Sequence, residues 1–109
     1  MIQLIDRREI PRLLSFCKGS PYGVRISAFL QAYGTSYPFA LFWMQTDASG
    51  RITAALSRVD GHVTLCASEQ ADWEEVWAFL SAAGYESVLC PEWAAQTAGL
   101  LSACRLGSC

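Results

Sequence analysis

Arg51-Ile-Thr-Ala-Ala-Leu-Ser-Arg-Val-Asp-Gly-His-Val-Thr-Leu-Cys-Ala-Ser-Glu-Gln-Ala-Asp72 is the stretch that decides the fold. From Arg51 to Ser57 it alternates, with Ile52, Ala54 and Leu56 on one face and Arg51, Thr53, Ala55 and Ser57 on the other. After Asp60-Gly61, Val63, Leu65 and Ala67 repeat the pattern opposite His62, Thr64 and Cys66. Asp-Gly is hairpin chemistry, because Gly accepts the positive φ of a tight reversal and Asp bonds its own backbone. Two antiparallel strands are therefore expected. Ser68 to Asp72 then leads into a helix. Asp72 with Glu75 forms a capping box, Trp73, Val76, Trp77 and Leu80 share one stripe, and Gly84 closes the element.

Upstream, Tyr37-Pro-Phe-Ala-Leu-Phe-Trp-Met-Gln-Thr46 contains the wholly apolar run Phe39 to Met44, expected as a strand covered on both faces and lying inside the sheet. The turn Asp47-Ala-Ser-Gly50 joins it to Arg51 and completes a three-strand antiparallel meander. Downstream, Tyr85 to Cys90 reads as a strand returning parallel to the one before the helix, by the right-handed crossover such units adopt. Pro91 stops it, Glu92 to Ala98 forms a last helix ended by Gly99, and Leu100 to Cys109 has no clear period. At the other end, Ile2 to Ile5 is a strand, and Asp6 with Glu9 has the form of a capping box. Ile10, Leu13, Leu14 and Cys17 mark one buried helical face with Pro11 early in it. Lys18-Gly19 ends that helix. Ser20-Pro21 starts the next, lined by Tyr22, Ile26, Phe29, Leu30 and Tyr33 and capped by Gly34.

The chain has 109 residues, 52% of them hydrophobic and only 17% charged, with a net charge of -2. This is one domain, 1-109, large enough to bury roughly two-thirds of its unfolded surface without a metal or disulfide. The apolar excess predicts an exposed patch that meets a partner. With no basic stripe, nucleic-acid binding is disfavoured. No apolar run is long enough for a membrane span, and the charges of Asp6, Arg7, Arg8 and Glu9 replace the apolar segment of a signal peptide, so a cytoplasmic location is expected. The five cysteines, Cys17, Cys66, Cys90, Cys104 and Cys109, show neither a Cys-x-x-Cys pair nor a histidine at metal-ligand spacing, which reads as reduced thiols and no metal site.

Strand, helix, helix, three antiparallel strands, helix, strand, helix resembles the first two-thirds of the GNAT fold of acetyl-CoA-dependent N-acetyltransferases. Gly34-Thr-Ser-Tyr-Pro-Phe39, Gly50-Arg-Ile-Thr-Ala-Ala-Leu-Ser57 and Trp77-Ala-Phe-Leu80 through Ser87-Val-Leu-Cys90 are similar to the N-terminal portion of two-part GNAT proteins, which precedes a catalytic half. The resemblance implies an α+β, GNAT-like partial fold with a mixed sheet. It also implies a Gln/Arg-x-x-Gly-x-Gly/Ala loop before the helix, whose bare amides hold the cofactor pyrophosphate. This chain has Ala67-Ser-Glu-Gln-Ala-Asp72 there, with no glycine and with Glu69 and Asp72, whose charges oppose a pyrophosphate. No cofactor ligand or catalytic residue is carried over. The chain ends before the last two strands, which in the family help shape the acceptor and cofactor sites.

Individual residues read mostly as structural. Cys66 and Cys90, on strands expected to be adjacent, are small buried apolar residues in preference to a redox pair. Cys104 and Cys109 lie in the tail. His62 is a solvated residue beside a turn in preference to a general base, and nothing local makes it a partner of Cys66. Trp43, Trp73 and Trp77 read as core, and Trp93 is the best interface candidate. Asp72, Glu74 and Glu75 complement a helix dipole, and Arg51 and Arg58 are solvated strand ends. The expected role is therefore packing against a C-terminal catalytic GNAT half or forming a homodimer through an open sheet edge. The alternatives are a diverged N-acetyltransferase that uses acetyl-CoA, and a small-molecule binding module.

Overall fold

Alternation in the middle of the chain and two Gly-containing turns produce the meander that the rest of the molecule packs on. A computed structural model describes residues 1–94 and 96. The meander comprises β2 (Ala40–Thr46), β3 (Ile52–Val59) and β4 (His62–Ala67). β1 (Ile2–Leu4) pairs antiparallel with β2, and β5 (Ser87–Leu89) pairs parallel with β4, giving a five-stranded mixed sheet in the order β1-β2-β3-β4-β5. β2 lies inside the sheet, as its apolar run requires. Asp60 at φ 52° and Gly61 at φ 85° make the tight turn between β3 and β4. At the other hairpin the Asp47 carboxylate accepts the Ser49 hydroxyl and the amides of Arg51 and Ser49, and these bonds hold its pKa below the usual carboxylate value.

Helices cover both faces, so the domain is α+β in three layers. A short 3-10 turn (Arg7–Glu9), α1 (Ile10–Phe16) and α2 (Pro21–Tyr33) lie on one face. There Leu13, Cys17, Ile26 and Leu30 meet Ala40, Phe42, Met44, Ala55 and Cys66. α3 (Trp73–Ala83) covers the other face, where Val76, Trp77 and Leu80 meet Trp43, Ala54, Leu56, Val63 and Leu65. Each cluster removes several large apolar side chains from water, at about 1.5–3 kcal/mol apiece. The Ser57 hydroxyl, fully buried on β3, has no hydrogen-bond partner among the described residues.

Several expectations change in detail. The register between β2 and β3 shifts at Gln45 and Thr46, so that Thr46 pairs with Ile52 while Gln45 pairs with Ala54. This bulge leaves Thr53 as an extra residue and turns Ile52 onto the α1/α2 face, away from Ala54 and Leu56. Asp6 and Glu9 do not form a capping box. Asp6 accepts from the Arg8 amide to cap the 3-10 turn, and Glu9 instead pairs with Arg12 at 3.2 Å. Cys66 and Cys90 lie on opposite faces of the sheet, packed with different clusters, so the adjacency of their strands does not bring them together. A helix begins at Glu92. The remainder of the expected helix to Ala98, with Gly99 and the tail carrying Cys104 and Cys109, lies outside the described residues.

Candidate functional site

The junction between β4 and α3 is organised by a residue of β2. Gln45 extends from the α3 face of the sheet and is only 1% exposed. Its Oε1 accepts from the Asp72 amide at 2.9 Å and the Thr53 hydroxyl at 2.7 Å. Its Nε2 donates to the Asp72 carbonyl at 3.0 Å and to Glu75 Oε1 at 2.8 Å. Two acceptor and two donor positions are all that a carboxamide possesses, so the group is saturated. The capping box is consequently relayed. Asp72 Oδ1 accepts from the Glu75 amide at 3.1 Å, as the spacing predicts. The reciprocal arm, from the Glu75 carboxylate to the Asp72 amide, passes through Gln45.

The rest of the loop is also turned inward. The Ser68 amide donates to the Thr53 carbonyl at 2.9 Å and the Ala71 amide to the Ser68 carbonyl at 3.1 Å. An anion site needs amides aimed at open space. Here the amides of Ser68, Ala71 and Asp72 are spent on the protein, and the Asp72 and Glu75 carboxylates stand at the helix start. The Met1 amine lies 3.1 Å from Glu75 Oε1. Beside the junction is a polar notch of about 250 Å³ lined by Gln45, Thr46, Asp47, Thr53, Gln70 and Asp72, below the size of ordinary ligand pockets.

The β4–β5 end is the second place where chemistry-bearing side chains gather. Pairing runs from His62 with Ser87 to Thr64 with Leu89, so β4 continues to Ala67 beyond its paired segment. His62 Nδ1 is 2.8 Å from Ser87 Oγ and Nε2 is 3.6 Å from Glu86 Oε2. The imidazole is 58% exposed and the Glu86 side chain 73%. A serine, a histidine and a carboxylate in line invite comparison with a nucleophilic triad, but such a device acts in a water-excluded site. These side chains fasten two neighbouring strands at the surface. A neighbouring groove of about 490 Å³ is lined by Phe39, Arg58, Asp60, Gly61, Tyr85 and Glu86. Arg58 is not a free strand end: its Nε donates to the Gly84 carbonyl at 3.2 Å, closing α3.

Of the three tryptophans expected in the core, two are buried and Trp73 is only half-buried, packed against the α3-side cluster. Trp43 and Trp77 are buried at 9% and 6%, while Trp93 is 42% exposed and meets Trp73 edge-on at 5.4 Å. Trp73 in turn stacks on Trp77. On the opposite face a ladder runs from Arg25, over the Phe29 ring, through Tyr33 to the exposed Tyr37 and Phe39. Arg25 also donates to Thr64 at 3.2 Å, tying α2 to β4.

Cys66 shares its apolar cluster with Cys17 and not with Cys90. Cys17, at the α1–α2 corner, and Cys66 on β4 are both buried in the same cluster. Donation from Cys17 lowers the Cys66 pKa to about 7 against the opposing effect of burial, and the Ser20 hydroxyl assists. Cys17, which shares its proton with Cys66 and is desolvated, is raised. Burial also raises Cys90. Among the described residues no three His, Cys, Asp or Glu side chains gather as metal ligands, and no helix is long and apolar enough to cross a membrane.

No family model, no curated protein and no solved structure matches this chain. Gln45, Thr53, Arg25 and Cys17 were not singled out as site residues by their local sequence, because each acts on an element far along the chain. The only local signal for Gln45 is a polar side chain closing an apolar strand.

Proposed function

We propose that the chain is a GNAT-like α+β domain, the N-terminal part of an acetyltransferase-related protein, that does not bind acetyl-CoA itself and works by packing against a catalytic half or a second copy. The observation that carries this reading is the Gln45 relay. At the junction where the resembling enzymes hold a pyrophosphate, the amides of Ser68, Ala71 and Asp72 are already bonded and Asp72 and Glu75 place two carboxylates there. The antiparallel meander followed by a helix and a parallel strand supports the resemblance in fold. The exposed Leu89 and Trp93 beside the outer strand support the packing role.

Isothermal titration with acetyl-CoA tests the proposal. No heat of binding is expected at cofactor concentrations up to about 1 mM, the weak limit of useful affinity. Saturable binding at low micromolar concentration would overturn it.

The diverged N-acetyltransferase reading has one observation in its favour, the continuation of β4 to Ala67 past its last pairing with β5. Against it, the amides of Ser68, Ala71 and Asp72 at the start of α3 are already bonded within the protein. Acetyl-CoA turnover with a panel of amines distinguishes the two readings, and none is expected.

A further inference from the structure

We propose that the groove at the β3–β4 turn is a binding site for a free basic α-amino acid, of the class of arginine and lysine. It lies at the end of β4 away from the start of α3, so it is separate from the junction that Gln45 organises. Separate stretches of the chain build it. Phe39 precedes β2, Arg58, Asp60 and Gly61 belong to β3 and its turn, and Tyr85 and Glu86 lead into β5. Main-chain bonds fix these stretches to one another: the Asp60 amide donates to the Phe39 carbonyl at 3.1 Å and the Glu86 amide to the Gly61 carbonyl at 2.8 Å. The volume of about 490 Å³ is that of an ordinary small-molecule pocket.

The groove holds charges of both signs that do not pair with one another. Among the described residues neither Arg58 nor Asp60 takes part in an ion pair, and the Glu86 carboxylate pairs only with the His62 ring, at 3.6 Å. The backbone sets where each one stands. Arg58 is held by the bond from its Nε to the Gly84 carbonyl at 3.2 Å, which leaves its two terminal amino groups as a fork for a carboxylate. Asp60 stands in the tight turn at φ 52°, and the Glu86 side chain lies against Gly61, 3.3 Å from where a Cβ on that glycine would be.

A guanidinium that shares a groove with two carboxylates is the complement of a ligand with one carboxylate and two cationic groups. That is the charge pattern of a basic α-amino acid. Its methylene stem finds apolar cover on Tyr85 and on Phe39, which is 41% exposed and braced edge-on by Tyr33 at 5.2 Å. Asp60 and Glu86 are exposed, so water and salt compete with the ligand and the affinity is modest.

Isothermal titration of the full chain with L-arginine tests this, against agmatine, which lacks the carboxylate, and citrulline, which lacks the side-chain charge. L-arginine is expected to saturate the site with a dissociation constant on the order of 0.1 to 1 mM, and each comparison compound to bind at least about fivefold more weakly. Asp60→Asn, a residue that also tolerates positive φ, and Glu86→Gln keep the shape of the groove and remove its negative charge. The double variant is expected to lose at least about tenfold in affinity for L-arginine with an unchanged unfolding midpoint. No saturable heat with L-arginine or L-lysine up to about 10 mM, agmatine or citrulline binding as tightly as L-arginine, or a double variant that binds as the wild type does would each overturn the proposal.

Discussion

Gln45 shows how much one polar side chain can decide. A leucine at this position would strand three of the four groups that the carboxamide now satisfies, the Asp72 carbonyl keeping the Val76 amide. These are the Asp72 amide, the Thr53 hydroxyl, which is on a 3% exposed residue, and the Glu75 carboxylate. Glu75 keeps partial access to water, with its side chain 35% exposed, and regains hydration; the Thr53 hydroxyl keeps only its 3.3 Å contact with the Gln45 carbonyl. Gln45→Leu is therefore expected to cost about 2 kcal/mol, the penalty of one or two buried groups left poorly satisfied. Urea denaturation measures it, and an unchanged midpoint would show that the relay carries no weight. The sequence made Asp72 and Glu75 legible as a helix start because a capping box is a local pattern. It did not make Gln45 legible, since Gln45 and Asp72 are 27 residues apart and meet only once β2 is inside the sheet.

At the scale of elements, the strands and helices were largely legible, because period-2 and period-3.6 patterns and Gly, Asp, Ser and Pro punctuation are local. What escaped the pattern was the relation between elements. Ile52 changed faces because of a bulge that needs both β2 and β3 to be seen. Cys66 packs in a different cluster from Cys90 because adjacency of strands does not make two residues share a face. The α1–α2 corner has the same character. Gly23 sits inside α2, where an alanine normally favours a helix by about 1 kcal/mol. Here its missing Cβ lets α2 cross the backbone of Cys17, which a side chain would strike. Backbone cannot give way as a flexible side chain can, so Gly23→Ala must part the two helices. It is expected to destabilise the domain by about 3 kcal/mol, within the range of overpacked sites. Thermal unfolding checks the sign: a gain in stability, as propensity alone would give, would refute the close crossing.

The whole molecule presents a sheet with one closed and one open aspect. Its faces are covered by α1 and α2 on one side and α3 on the other, and among the described residues the two edges of the sheet are β1 and β5. β5 is three residues long, a length that often blunts an edge against indiscriminate pairing. Yet it carries Leu89 at 46% exposure, close in sequence to Trp93 at 42%, on a chain with few charges to spare for protecting them. A short edge supplies few main-chain hydrogen bonds, so a second copy docked there must draw on these apolar side chains. The interface would be small, and a dissociation constant on the order of 10 µM or weaker is expected. Sedimentation velocity across that concentration range should show a monomer giving way to a dimer. Leu89→Lys, which sets a charge on the edge and leaves both core clusters intact, should hold the protein as a monomer with an unchanged unfolding midpoint. If the wild-type chain stays monomeric at about 1 mM, the β5 edge does not receive a second copy, and packing against a separate catalytic half becomes the surviving form of the proposal. If Leu89→Lys dimerises as the wild type does, the contact lies elsewhere, and the exposed ladder of Tyr33, Tyr37 and Phe39 is then the apolar surface to mutate next.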